Sequence, residues 1–485
     1  MRRKIDAKLL AWKNRGDARL PLLLYGARQV GKTYTLVQFG ERQYKNTVYV
    51  NLETNTAVAR YFSDDISPGR LIRFLETTAN DVILPGETLI ILDEIQSCER
   101  ALTSLKYFAE NAPEYHIAAA GSLLGVAVGR RQGSFPVGKV ESMTLNPLDF
   151  EEFLWALNET RLADEIRSRY THMNAMPENL HQKAVELYRC YLIVGGMPAC
   201  VEAFSTSGKT ILIPAIQNEI VNNYIADMTK YADPSETVKI RSCYNSIPAQ
   251  LAKENKKFQY KVVQKGGSSS LFGASIDWLV QAGVVMKCRR IEQAVNPVAV
   301  YEDLSSFKLY YTDVGLLTMR SGIAQQTVLS GESNLFMGSL AENYIAQALT
   351  ANGHPLFYWT SEHTAELDFV MQKETDIIGI EVKKGTKTRS KSLSVFMQKY
   401  HPAYSVRFSE KNFGTDSING RASGCGGVGG NNGSGEGVSD NYGECISNRG
   451  PRGARGERNV IASASDEIAK YNNLYALPHY AAFCL

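Results

Sequence analysis

The stretch "GARQVGKT", Gly26–Thr33, constrains the fold of this chain more than any other. It directly follows the apolar run "LPLLLY" (20–25), and "TYTLVQFGE" continues from it as a helix. Glycines permit a tight loop between strand and helix, and main-chain N–H groups at the helix N-terminus make a cradle for phosphate. The strand must lie in a sheet with the helix packed on it, so the first module is expected to be α/β. Gly26, Ala27, Arg28, Gln29, Val30, Gly31, Lys32, Thr33 and Tyr34 are the residues expected to bind nucleotide. Lys32 would reach the β- and γ-phosphates, and the Thr33 hydroxyl would ligate Mg²⁺.

Further apolar runs alternate with helical patterns: "TVYVNL" (47–52), "TLIILD" (88–93), "YHIAAA" (115–120) and "KVESMTL" (139–145). This alternation predicts a mostly parallel sheet. "LIILDE" places Asp93 at a strand end beside the loop, as a Mg²⁺ ligand through water, and Glu94 where it polarises the attacking water. The acidic pair separates the chain from GTPases, which usually position water with a glutamine. Ser122, ending "YHIAAAGS", reads either as a γ-phosphate sensor or as a helix cap. Arg130, Arg131 and Lys139 are candidates to complete the site from a neighbouring subunit or a moving lid; solvated surface charge is the other reading.

At 485 residues the chain exceeds what one core organises. A formal charge of +3 excludes a global basic field, leaving only local patches for nucleic acid. Eight cysteines without CxxC pairs predict reduced thiols. The N-terminal segment lacks a long apolar region and a small-residue cleavage site, and no run is long enough to span a bilayer. The expectation is a cytoplasmic protein with no membrane partner.

The pattern is helical from about Asp149 to Tyr231, broken by "VGGMPA" (194–199). The segment 246–290 reads as three short helices and the start of a hairpin, the layout of a winged helix-turn-helix, with Leu279, Val280 and Val284 facing a core and Ser268–Ser270 capping the third helix. Lys253, Lys256, Lys257, Lys261 and Lys265 make it basic, yet the third helix has no Arg or Lys in its first turns, so packing on the first module competes with DNA binding.

In "AELDFVMQKETDIIGIEVKKGTK" two alternating runs, joined by a turn near 373–375, predict a hairpin. Asp368 then lies across from the 379–381 stretch, close enough for Asp368 and Glu381 to share Mg²⁺, with Lys383 on the same face to orient a water or stabilise a phosphorane-like state. Glu342, on the preceding helical pattern "GSLAENYIAQALTA", joins them as a candidate metal ligand. The D-x12-E-x-K pattern resembles the PD-(D/E)xK nuclease core, although Leu367 replaces its proline. Lys384, Lys387, Arg389 and Lys391 form either a cationic patch for a phosphate backbone or a solvated loop. Residues 415–470, rich in glycine and serine, predict a flexible insertion, after which order resumes at 472–485 as a strand docked on the preceding domain.

The order P-loop, "LIILDEIQ", "AAAGS", "SFPVGKVESMTLNPLDFEEFL" resembles a widespread prokaryotic family of AAA-type ATPases with a restriction-endonuclease-like C-terminal domain. "GGMPACV" (195–201), "IPAQLAKENKKFQY" (247–260) and "FKLYYTDVGLL" (307–317) extend the resemblance over nearly all of the chain outside 415–470. Lys139 stands where some relatives show arginine. The resemblance implies an α/β fold with an AAA-type parallel-sheet ATPase domain (1–157), a helical region (158–235), a winged-helix-like domain (236–325), and a small PD-(D/E)xK-like domain (331–414, completed by 471–485). It implies ATP and Mg²⁺ as cofactors, ATP hydrolysis coupled to nucleic-acid binding or cleavage, and a possible homo-oligomer. A non-cutting switch or scaffold that binds DNA or protein is the alternative.

Overall fold

The computed structural model describes residues 1–122, 136–332, 334–362, 365–386, 391–416 and 473–485. The five apolar runs of the first module become strands β1 (Leu22–Tyr25), β2 (Asn46–Asn51), β3 (Thr88–Asp93), β4 (His116–Ala120) and β5 (Glu141–Thr144). All pair in parallel, in the order β2-β3-β4-β1-β5. β3 and β4 are buried at every position, as continuous apolar runs covered on both faces must be. Among the helices are α1 (Ile5–Lys13), α2 (Lys32–Gln43), α3 (Thr56–Asp64), α4 (Pro68–Ala79) and α5 (Glu99–Asn111). Leu22, Leu24 and Ile91 pack with Leu9 and Leu36 on one side of the sheet; Leu23, Ile90 and Leu92 pack with Leu71 and Leu105 on the other. Because the strands are parallel, the loops after β1, β3 and β4 share one edge, where ligands of open α/β sheets bind.

The middle region is helical: α6 (Phe150–Ala156), α7 (Thr160–His172), α8 (Glu178–Val194), α9 (Pro198–Ser207), α10 (Ile213–Tyr231) and α11 (Pro234–Leu251). A capping box between Asp149 and Glu152 starts α6. Then come α12 (Tyr260–Val263), α13 (Ser269–Gln281) and an antiparallel pair, β6 (Val285–Ile291) and β7 (Glu302–Tyr311). Leu279 and Val284 are buried as expected, with Val280 half-buried. Ser268 is the N-cap of α13, but its hydroxyl meets that of Ser270 (2.8 Å) and caps no main-chain N–H, correcting the expected role.

The hairpin is no free wing. β6 pairs in parallel with β8 (Phe357–Thr360), which continues through β9 (Glu366–Lys373), β10 (Asp376–Val382) and β11 (Tyr404–Ser409) to β13 (Asn473–Pro478) and β12 (Gly414–Asp416). The result is one eight-stranded sheet, β12-β13-β11-β10-β9-β8-β6-β7, running across the sequence boundary placed at 325–331. Between hairpin and β8 lie α14 (Val314–Ser321), α15 (Gln325–Ser330) and α16 (Met337–Ala351); α17 (Lys391–Tyr400) precedes β11. Nearly the whole of α16 is buried, since "MGSLAENYIAQALTA" is small or apolar around most of its circumference. The expected insertion at 415–470 falls almost wholly outside the described residues, as do Lys387 and Arg389. Among the described residues no helix is long and apolar enough to cross a membrane, and the six cysteines are free.

A buried junction joins the modules and accounts for two of the conspicuous motifs. Gly196 N–H donates to Asp313 Oδ2 (2.6 Å), and Leu148 N–H donates to the Gly196 carbonyl (2.7 Å). Asp313 also caps α14 through Leu316 N–H (3.0 Å). The Gln347 side chain accepts from Val314 N–H (3.0 Å) and donates to the Tyr191 hydroxyl (2.8 Å), which donates in turn to the Leu148 carbonyl. A Cβ on Gly196 would stand 1.9 Å from Leu148 O, so only glycine fits. Burial pushes the Asp313 carboxyl up to about 6, against the pull of its N–H donors.

Candidate nucleotide site

The loop after β1 turns so tightly that a Cβ on Gly26 would meet Leu145 O at 2.2 Å. α2 starts at Lys32 with Gly31 in the left-handed region, which aims the first N–H groups of the helix into the loop. Lys32 is buried and donates to the carbonyls of Gly26 (2.9 Å) and Ala27 (2.8 Å). Burial lowers its pKa to about 8, opposed by the nearby Glu94 and Asp93 carboxylates.

Asp93 ends β3, two strands from β1, and is 3% exposed. Its Oδ2 accepts from the Thr33 hydroxyl (2.8 Å) and the Tyr49 hydroxyl (2.9 Å). Thr33 and Asp93 thus stand together where Thr33 would ligate Mg²⁺ directly and Asp93 through water. Glu94 follows at φ 50°, in the left-handed region, a strained position for a non-glycine residue. It lines the cleft and accepts from the Gln96 amide; burial raises its pKa, the direction a proton acceptor requires. Ser122 is buried beyond β4 and borders a small void with Arg28, Tyr224 and Asp227. It thus stands at the same edge as the loop.

Several residues the sequence reading missed complete this site. Arg3, buried ahead of α1, donates to the Val30 carbonyl (3.1 Å), the Asn146 carbonyl (2.6 Å) and Glu152 (3.1 Å), tying the loop to its surroundings. Arg28 pairs with Asp227 of α10 (2.5 Å), and the Tyr224 hydroxyl donates to the Arg28 carbonyl (3.2 Å). A cleft of about 490 Å³ has Gln29, Lys32, Thr33, Tyr34 and Glu94 on one wall and Pro198, Glu202, Ile216 and Glu219 on the other. The middle helices therefore roof the loop. Only the basic "MRRK" and the "GGMP" turn hinted at this in the sequence, without saying what they touch.

Arg130 and Arg131 lie outside the described residues. Lys139 pairs with Glu110 (3.1 Å) just ahead of β5, whose Glu141 N–H bonds the Pro21 carbonyl at the start of β1. It sits at the sheet edge opposite the phosphate loop of its own chain.

The second candidate constellation lies on the C-terminal sheet. β9 and β10 form the expected hairpin, with Ile380 opposite Phe369, so the next step sets Glu381 against Asp368. Asp368 accepts from Val382 N–H (2.8 Å), and burial together with the Glu342 carboxylate raises its pKa. Each acid around it meets a cation: Lys256 pairs with Glu342, Lys308 with Glu366 (2.6 Å), and Lys383 with Glu381 (2.8 Å), with Arg407 also 3.7 Å from Glu381. Among the described residues no three His, Cys, Asp or Glu side chains are placed to hold a metal. Asp368 and Glu342 are thus brought within electrostatic reach of each other, while Glu342 and Glu381 each meet an ammonium group.

Residues 18–154 match a family model described as an AAA domain, so the phosphate loop and the Asp93–Glu94 pair lie within a P-loop ATPase domain. Residues 185–327 match a Domain of unknown function (DUF8612) and residues 337–422 another (DUF4143). No curated protein matches the chain. Among solved structures, the chain is similar to the Walker-type ATPase PABY2304 of Pyrococcus abyssi, at 14% identity and TM-score 0.41, over 66% of this chain and 95% of that one. It is also similar to the ORC2 protein of Aeropyrum pernix in its ADPNP–ADP complexes, at 13% identity and TM-score 0.33, over 72% and 94%. RuvB, the Holliday junction branch migration motor of Thermotoga maritima, matches at 15% identity and TM-score 0.28, over 58% and 86%. At such TM-scores these likenesses carry no functional weight.

Proposed function

We propose that this chain binds ATP with Mg²⁺ and hydrolyses it, using the nucleotide's occupancy to set the position of the helices that roof the site. The observation that carries the reading is the convergence of Lys32, Thr33, Asp93 and Glu94 at one edge of a parallel sheet. Lys32 exchanges its two loop carbonyls for the β- and γ-phosphates, gaining charge-assisted bonds. Thr33 and Asp93 would hold Mg²⁺, which when bound neutralises charge on the phosphates. Glu94 takes up the proton of the attacking water. The roof senses the loop through Arg28–Asp227 and through Pro198, which opens α9 two residues after the Gly196–Asp313 junction. Arginine supply from a second copy of the chain would fit a homo-oligomer.

Glu94→Gln tests the catalytic assignment: ATP binding should persist while turnover falls by about 10² or more. Turnover within a factor of two of wild type would reject Glu94 as the base.

For the C-terminal sheet, the paired lysines support the non-cutting alternative, in which this module binds partners and relays state. DNA and RNA incubated with wild type and Asp368→Ala, in Mg²⁺ or Mn²⁺, should remain intact in both. Cleavage by wild type that Asp368→Ala abolishes would restore the nuclease reading, in which Asp368, Glu381 and Lys383 attend a phosphodiester.

A further inference from the structure

The roof of the nucleotide cleft carries two acids that the fold itself does not use. Pro198 opens α9 directly above the phosphate loop, since a Cβ added at Gly31 would stand 3.6 Å from Pro198 Cγ. Glu202 follows one turn along the same face of α9, and on α10 Glu219 stands one turn after Ile216. All four line the cleft opposite Lys32, Thr33 and Tyr34. The acids nearer the phosphate loop are engaged: Asp227 pairs with Arg28, Glu53 with Lys230, Asp93 takes the Thr33 and Tyr49 hydroxyls, and Glu94 takes the Gln96 amide. Glu202 and Glu219 are exposed to solvent, and their carboxylates make no ion pair or hydrogen bond among the described residues.

Position along the roof decides what these carboxylates can meet. Asp227, which holds Arg28 of the phosphate loop, lies two turns beyond Glu219 on α10, about 12 Å along the helix axis. With the phosphates at Lys32, the part of the cleft between Tyr34 and the two glutamates is left for the nucleoside. Carboxylates facing a polyanion weaken its binding unless they meet hydrogen-bond donors. A nucleoside offers donors in two places. The adenine edge sets its one amino group between acceptor nitrogens, which repel the second oxygen of a carboxylate. The vicinal ribose hydroxyls both donate, and one carboxylate can accept from the pair. Tyr34, 55% exposed, and the apolar Pro198 and Ile216 supply walls for the base.

We propose that Glu202 and Glu219 determine the sugar specificity of this cleft: they accept hydrogen bonds from the ribose hydroxyls and so select ribonucleotides over deoxyribonucleotides. The inference rests on the assignment of the cleft to ATP, and adds a discrimination that the assignment does not itself require.

The test titrates the full chain in Mg²⁺ with the β,γ-imido analogues of ATP and of 2′-deoxy-ATP by calorimetry. Wild type should bind the ribose form at least about tenfold more tightly, the factor expected of a hydrogen bond to a charged group. Glu202→Met and Glu219→Met keep the length of the side chain without an acceptor. Neither should lower the melting temperature, because neither carboxylate has a partner among the described residues. The double variant should bring the two affinities within about twofold of each other, and the single variants show which glutamate contributes more. The ratio of the two affinities is the decisive readout. Were the carboxylates merely repelling phosphate, their removal would tighten both analogues alike and leave the ratio unchanged, and that result overturns the proposal. Equal binding of both analogues by wild type also overturns it, while leaving the ATP assignment standing. Binding of neither analogue overturns the ATP assignment as well, so the two failures are told apart.

Discussion

Replacing Gly196 with alanine puts a methyl group 1.9 Å from Leu148 O and 2.8 Å from the Leu148 nitrogen and carbonyl carbon. Ordinary contact requires more than a further ångström, and the obstacle is backbone. The two segments are also tied to each other by Leu148 N–H to Gly196 O (2.7 Å), so neither yields freely. Overpacking of this kind costs about 1–3 kcal/mol. Moving Gly196 also withdraws its N–H from Asp313, 1% exposed, and a buried acceptor short of a donor costs about 1–3 kcal/mol more. The sum is about 4 kcal/mol, which at a urea dependence of about 2–3 kcal/mol/M lowers the unfolding midpoint by about 1–2 M. Gly208→Ala is the control: Gly208 ends α9 at a left-handed φ of 65°, but a Cβ there meets nothing within 4 Å, so the substitution should cost only about 1 kcal/mol. Urea unfolding followed by circular dichroism decides. A Gly196→Ala shift no larger than that of Gly208→Ala would refute the argument that this junction is a close backbone contact.

Three further outcomes are expected. Arg3→Ala removes three bonds and leaves Glu152 buried without its guanidinium, so it should cost about 3 kcal/mol of stability and, by freeing the Val30 carbonyl, weaken ATP binding measured by calorimetry. Asp313 holds its proton up to about pH 6 when folded, against about 3.9 when unfolded, so the native state binds more protons in that window and this group's contribution to stability falls as pH rises through it. The stability of Asp313→Asn relative to wild type should therefore improve by about 2–3 kcal/mol between pH 3.5 and pH 7.5, and a flat difference would contradict the buried carboxylate. Nucleotide-free protein titrated with Mn²⁺ should show no site at the C-terminal sheet; a site that Asp368→Asn abolishes would mean that Lys256 and Lys383 yield to the ion.

The first sheet was readable from the sequence because short runs rich in apolar residues, continuous in β1, β3 and β4, alternate with helical patterns, and the phosphate loop fixes which strand ends at the site. Asp93 was placed correctly beside Thr33 for the same reason: a polar residue ending a buried strand can only emerge at the sheet edge. What escaped was everything set by distant pairing. Nothing local in "VVMKCRRI" reveals that β6 will pair with β8 and merge two expected domains into one sheet. Arg3 and Asp227 look like ordinary surface charges until folding brings them against the loop. The D-x12-E-x-K stretch did give the hairpin. It could not give Lys256, from a separate basic segment, reaching Glu342. Spacing along one strand pair fixes which acids face each other but not which cations arrive from elsewhere.

On the proposed function, the loop at Gly26–Thr33 holds ATP through Lys32 within a cleft roofed by the middle helices. Calorimetric titration of wild type, Lys32→Ala and Asp227→Ala with a non-hydrolysable ATP analogue in Mg²⁺ tests it most directly. Wild type should bind the analogue at the Lys32 cleft, Lys32→Ala should lose that binding with an unchanged circular dichroism spectrum, and Asp227→Ala, which frees Arg28 from the roof, should bind more weakly. Unchanged affinity in Lys32→Ala would contradict it.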